Sequence, residues 1–135
     1  MATTNPYAPP QAAVADLAPA SHGVQPVKLW SAQGRVGRLR YLAHLLVAYV
    51  LAIVAAFAAG LLGGMAGSEL LINLAAGAVM LAYLVFVILK TIQRSHDMDW
   101  NGWSALLALI PLVGLIWIFK GGTPGGNRFG APPPP

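Results

Sequence analysis

The chain has 135 residues, of which 57% are hydrophobic and only 9% charged, and it contains no cysteine. Soluble domains carry about 25% charged residues, so this composition argues against a soluble globular domain, and the lack of cysteine excludes disulfides, thiolate metal sites and Cys nucleophiles. The pI near 9.9 comes from eight basic residues that sit at the borders of apolar runs rather than in one patch, so no nucleic-acid partner is expected.

In chain order, Met1 to Pro26 is rich in Pro and Ala, with Pro6, Pro9, Pro10, Pro19 and Pro26 interrupting any helix. It reads as a disordered tail, and it lacks the basic and apolar regions of a secretory signal. Val27 to Arg40 mixes Leu29, Trp30, Val36 and Leu39 with four cations, as a segment lying at a headgroup surface would. Then come three apolar runs, Leu42 to Leu62, Leu70 to Leu89 and Trp103 to Phe119, without a single Asp, Glu, Lys or Arg. A helix needs roughly 20 apolar residues to cross hydrocarbon about 30 Å thick. The first two runs reach that length and the third falls slightly short.

The fold class that follows is an all-α integral membrane protein with three transmembrane helices and disordered Pro-rich termini. Residues 27–130 form the membrane domain, with spans at about 42–62, 70–89 and 103–119, and residues 131–135 form an extended, unpacked polyproline end. The bilayer is the first partner. The positive-inside rule puts the N-terminus and the second loop in the cytoplasm, with six basic residues inside against two outside. A continuous third span would carry the C-terminal tail to the other side. Pro111 should kink that span and free the carbonyl of Leu107, which Ser104 or a neighbouring helix must satisfy. A re-entrant hairpin turning at Pro111 to Gly114 is the alternative, and it returns the tail to the cytoplasm. Trp30, Tyr41, Trp100, Trp103 and Trp117 all fall near span ends, where amphipathic rings prefer the interface.

Small residues recur along the first run. Ala48, Ala52, Ala56, Gly60 and Gly64 make one row and Ala55, Ala59, Gly63 and Gly67 a second, a smooth face suited to close helix packing against the second span or another copy of the protein. Asn73 and Gly77 share a face of the second run, where the amide can hydrogen-bond across to a neighbour.

Titratable groups concentrate only at His96, Asp97 and Asp99. Imidazole and two carboxylates make a thin metal site. Capping of the third helix by Asp97, Asp99 or Asn101, together with an Arg94–Asp97 pair, is the preferred reading. The serines assemble no nucleophile-base set, and Gly121 to Gly126 opens no helix and is a turn. No enzyme activity, cofactor or metal is expected.

Three segments together resemble a bacterial inner-membrane family catalogued as domain of unknown function 805. Gly34-Arg35-Val36-Gly37-Arg38-Leu39-Arg40-Tyr41 is similar to its entrance motif, Arg94-Ser95-His96-Asp97 with Gly102-Trp103 to its loop motif, followed by Ile110-Pro111-Leu112-Val113-Gly114, and Gly122 to Gly130, with Asn127, Arg128 and Gly130, to its C-terminal signature. The likeness covers about Trp30 to Gly130. Ala32-Gln33, Leu42 and Gly130-Ala131 depart from the pattern. The resemblance implies a small multi-span inner-membrane protein with no assigned activity. The expected role is an accessory module that packs with itself or with partner membrane proteins through polar clusters at the membrane faces, built from Arg35, Arg38, Arg94, His96, Asp97, Asn127 and Arg128. The alternative is a small channel or transporter subunit with a path along Asn73 and Ser104.

Overall fold

In the computed structural model, which describes residues 23–135, an apolar helical hairpin carries a polar knot at one end. The expected tail over residues 1–22 lies outside the described residues. Helix α1 (Arg38–Met65) and helix α2 (Glu69–Asp97) have 28 and 29 residues, about 42 and 44 Å at 1.5 Å per residue. A tight turn joins them. Gly67 takes φ 65° there, and Ser68 Nα donates to the Gly63 carbonyl at 3.1 Å. The Ser68 hydroxyl then caps α2 by accepting from Leu71 N, and Glu69 sits in the first turn where the helix dipole favours an acid.

The hairpin closes most tightly near this turn, where Gly63 lies directly against Ile72. Of the predicted small-residue rows, Ala48, Ala52 and Gly60 are half-buried, while Ala56 and Gly64 are exposed. In the second row, Ala59 is half-buried and Gly63 buried. The contacting face thus crosses from one row to the other, as two straight helices packed at an angle require. Asn73 and Gly77 are exposed, so the expected cross-helix hydrogen bond of Asn73 is not made among the described residues.

Two helices among the described residues, α1 and α2, are long and apolar enough to cross a membrane. Their large side chains point outward: Leu46 is 62% and Phe57 68% exposed. Over most of their length both helices turn apolar side chains outward on the faces that do not pack together, and a hydrocarbon solvent is what such surface is suited to.

The third apolar run departs from the expected single span. It forms a 3-10 segment (Gly102–Leu109) and then helix α3 (Pro111–Phe119), separated by Ile110 in extended conformation. The two pieces have 8 and 9 residues, about 16 Å and 14 Å, and they fold against each other. A Cβ on Gly114 would stand 2.7 Å from the Ala108 carbonyl oxygen, so the pieces touch backbone to backbone. The Leu107 carbonyl, expected to be orphaned by Pro111, accepts from Ile110 N at 3.1 Å. Tighter 3-10 winding satisfies it, and the Ser104 hydroxyl donates instead to the Asn101 carbonyl. Asn101 is the residue that caps this segment, its side chain accepting from Trp103 N.

Both ends of the folded-back unit meet the last turns of α2. Gly102 lies against Ile92 and His96, and Trp117 lies against Ser95. The buried apolar core is confined to this end and consists of Val36, Tyr41, Met98 and Trp117, flanked by Leu45, Trp100, Ala108, Val113 and Ile118. Trp117 is 0% exposed. It is a core residue and not the interfacial ring the sequence led us to expect, whereas Trp103, 77% exposed, keeps the expected position outside.

Candidate functional site: a buried polar knot

The last two turns of α2 leave the apolar pattern and run Lys90-Thr91-Ile92-Gln93-Arg94-Ser95-His96-Asp97. Six of these, Lys90, Thr91, Gln93, Arg94, Ser95 and Asp97, are buried. Buried polar groups must be hydrogen-bonded to persist, and here the partners come from the N-terminal segment on one side and the C-terminal tail on the other.

Asp97 is the hinge of the arrangement. One carboxylate oxygen receives Arg35 Nη2 at 3.1 Å and Nε at 3.3 Å, and the other receives Arg94 Nη1. The side chains of all three residues are at most 4% exposed. One carboxylate therefore serves two guanidiniums, which leaves a buried positive excess. Carbonyl dipoles offset it. Arg35 donates to the carbonyls of Thr123 (2.8 Å), Gly125 (2.7 Å) and Gly130 (3.2 Å). Arg94 donates to the carbonyls of Trp117 (2.8 Å) and Lys120, and so caps the C-terminus of α3.

The tail in turn caps α2. Thr123 N and Oγ1 donate to the Asp97 carbonyl at 2.8 and 3.0 Å, and Asn127 Nδ2 donates to the His96 carbonyl at 2.8 Å. Gly122 runs so close over the Asp97 carboxylate that no side chain fits there. His96 sits beside the ion cluster, with Nδ1 3.2 Å from the Gly34 carbonyl and its ring stacked on Phe129 at 3.8 Å. Gly130, at φ 119°, leaves room for Gln25, which donates from Nε2 to the Phe129 carbonyl and accepts from Arg35 N.

The structure brings together Gly34, Arg35, Arg94, His96, Asp97, Gly102, Asn127 and Gly130. Tyr41 belongs beside them, its hydroxyl 3.1 Å from Thr91 Oγ1. Arg38 stands apart, exposed at the start of α1, and Trp103 is on the surface. Arg128 faces outward and pairs with Asp99 at 3.1 Å, both substantially exposed. The carboxylates of Asp97 and Asp99 thus serve different cations, and His96 bonds a carbonyl, so these three do not converge as a shared ligand set. Asn73, near the start of α2, and Ser104, packed by its far end, do not line a common path within one chain.

Sequence reasoning missed Gln93, Lys90 and Gln25. Gln93 Nε2 donates to the carbonyls of Lys28, Ser31 and Gln33 and so pins the N-terminal segment to α2. Lys90 Nζ donates to the Lys28 carbonyl at 2.6 Å and to Gln93 Oε1 at 2.8 Å. The available signal was the dense polar stretch directly after a charge-free run. The closing prolines are corrected too. Pro132 O accepts from Gln25 N and Pro135 O from Arg40 Nη2, so this end is packed, not free.

The family model described as "Protein of unknown function (DUF805)" matches residues 29–131. The chain is similar to the "Inner membrane protein YhaH" of Escherichia coli, in strain K12 and in O157:H7, at 37% identity over 107 residues in each case, covering 75% of this chain and 85% of the relative. No solved structure matches.

Proposed function

This chain belongs to the DUF805 family of proteins of unknown function, and from that premise we propose that it is a non-enzymatic inner-membrane protein, an accessory module that packs with itself or with partner membrane proteins. In this reading α1 and α2 cross the bilayer and the unit of 3-10 segment and α3 re-enters from the cytoplasmic side, so both termini are cytoplasmic. What supports the topology is charge. All eight Lys and Arg residues, Lys28, Arg35, Arg38, Arg40, Lys90, Arg94, Lys120 and Arg128, lie at the end where α1 starts and α2 finishes, and Glu69 lies at the other.

One observation carries the functional reading. The motif side chains Arg35, Arg94 and Asp97 are turned inward and committed to partners within the chain. A reactive site needs groups presented to a substrate, whereas a knot of this kind fixes the shape of the membrane face that it closes. Crosslinking in native membranes, followed by mass measurement in mild detergent, tests this: a homo-oligomer or a complex with membrane proteins is expected, and a lone monomer in both settings overturns it. For the topology, a C-terminal fusion should give a fluorescent cytoplasmic reporter and an inactive periplasmic one.

A further inference from the structure

Imidazole changes charge near neutrality, at an ordinary value of about 6.5, and His96 sits in the knot without a carboxylate of its own. Its Nδ1 is 3.2 Å from the Gly34 carbonyl. A carbonyl only accepts, so Nδ1 carries a hydrogen, and in the neutral ring Nε2 is the bare nitrogen. Nε2 faces Gly102, where an added Cβ would stand 3.3 Å from it and 3.1 Å from an Ile92 methyl. No acceptor among the described residues waits there for a second N–H. One face of the ring lies flat on Phe129, with 3.8 Å between centroids and 7° between planes.

The charges around this corner disfavour a further cation. On α2 the adjacent Asp97 is shared by Arg94 and by Arg35 of the N-terminal segment. That segment also brings Lys28, which lines a cavity together with His96. From the tail comes Arg128, its guanidinium carbon 4.9 Å from the centre of the same Phe129 ring, and the loop after α2 supplies its partner Asp99. The 3-10 segment carries no ionisable side chain, and Lys120, just past α3, sits over Trp100 instead. Two carboxylates thus already answer to Lys28, Arg35, Arg94 and Arg128. His96 lies beyond the charge-free run Leu70 to Leu89, outside the hydrocarbon. Burial is the main cause that lowers its pKa, the Gly34 carbonyl partly opposes this, and Arg128 lowers it further. A base kept neutral by the closed fold stabilises that fold fully above its ordinary value, and the stability drains away as the pH falls below it.

The ring also has somewhere to go. It borders a cavity of about 590 Å³ lined by Gln25, Lys28, Gln33, Gly34 and Phe129 among others. We propose that His96 is an acid-sensitive catch for the C-terminal tail: on protonation the ring leaves Gly34 and Phe129 for this cavity, and the turn Asn127 to Gly130 comes off the end of α2. That turn is closed on itself by paired bonds between Asn127 and Gly130, so it moves as a unit. With it go the Gly125 and Gly130 carbonyls that Arg35 now uses, and the Phe129 carbonyl that Gln25 holds. Release therefore presents a guanidinium that the closed form buries. The catch answers to the pH of the compartment that the knot faces.

The chain has three histidines, so full-length protein in mild detergent carrying His22→Gln and His44→Gln keeps His96 as its single imidazole. Nitrogen-15 NMR of that ring at about pH 7.5 should show a proton on Nδ1 and none on Nε2. Amide hydrogen exchange over residues 124–131, corrected for the intrinsic effect of pH, is then compared at about pH 7.5 and about pH 5. Opening should rise by at least about threefold and at most about thirtyfold, the latter being the ratio of charged to neutral rings for a free imidazole at the lower pH. Residues 42–62 should keep their protection, which separates release of the tail from loss of the fold. His96→Gln should hold the tail equally at both pH values, and His96→Phe, which stacks without ionising, takes its place if glutamine alone opens the tail. A proton on Nε2 at neutral pH overturns the proposal. So does unchanged protection of the tail in acid, or an equal loss in a closed variant that lacks the imidazole.

Discussion

Asp97 is the residue on which most of the knot converges, and its neighbours make its removal costly. Without its carboxylate, Arg35 and Arg94 remain buried with no counter-ion, and an uncompensated buried charge of that kind costs about 3–5 kcal/mol. Asp97→Ala should lower the unfolding midpoint in detergent accordingly. Arg128→Ala removes a pair of similar length that is open to solvent, and solvent screening keeps its cost under about 1 kcal/mol. A comparable loss in both variants would mean that burial does not set the scale. The Arg94–Asp97 pair could be expected from the sequence, since three residues along a helix bring the two together. Arg35 as a second partner could not, because 62 residues separate it from Asp97 and only the return of α2 brings them together.

At the level of elements, length and the absence of charge were enough to place α1 and α2 in the sequence. The third run was legible as apolar and interrupted at Pro111, but its fold-back depends on features that carry no side-chain signal. These are 3-10 winding that repairs the Leu107 carbonyl and the close backbone approach of Gly114 to Ala108. The packing of α1 on α2 separates two glycines that look alike in the sequence. At Gly63 an added methyl would run into Ile72, with the backbone nitrogen of Ile72 only 3.2 Å away, whereas at Gly60 it would meet nothing within 4 Å. Gly63→Ala should therefore cost about 1–3 kcal/mol through overpacking. Gly60→Ala should be neutral or stabilising by up to about 1 kcal/mol, through better helix propensity. Paired thermal melts in one detergent compare them directly, and equal shifts would place the helix contact elsewhere.

At the level of the whole molecule, three distant stretches of chain close one face. The N-terminal segment is tied to α2 by Gln93, and the tail is tied to both by Arg35, Thr123 and Asn127. Deleting residues 121–135 would strip Arg35 of three carbonyl acceptors and uncover the Asp97 carboxylate. Limited trypsin digestion should then cut after Arg35 and Arg94, sites the intact chain buries, and resistance equal to the full-length protein would show that the tail is dispensable. This closure was only partly legible beforehand. The tail's contribution comes largely from the main chain of a glycine-rich stretch, whose residue types say little about where its carbonyls will point.

The cradle around the Arg35 guanidinium also sets an order of events during synthesis. Its acceptors at Thr123, Gly125 and Gly130 follow Arg35 by 88, 90 and 95 residues. At 5–20 residues per second, translation leaves that cation waiting for roughly 5–19 s before the last acceptor exists. Through that interval the nascent hairpin can offer Arg35 the Asp97 carboxylate, 62 residues on, but none of these three carbonyls, so the cradle closes only after both long helices have been made.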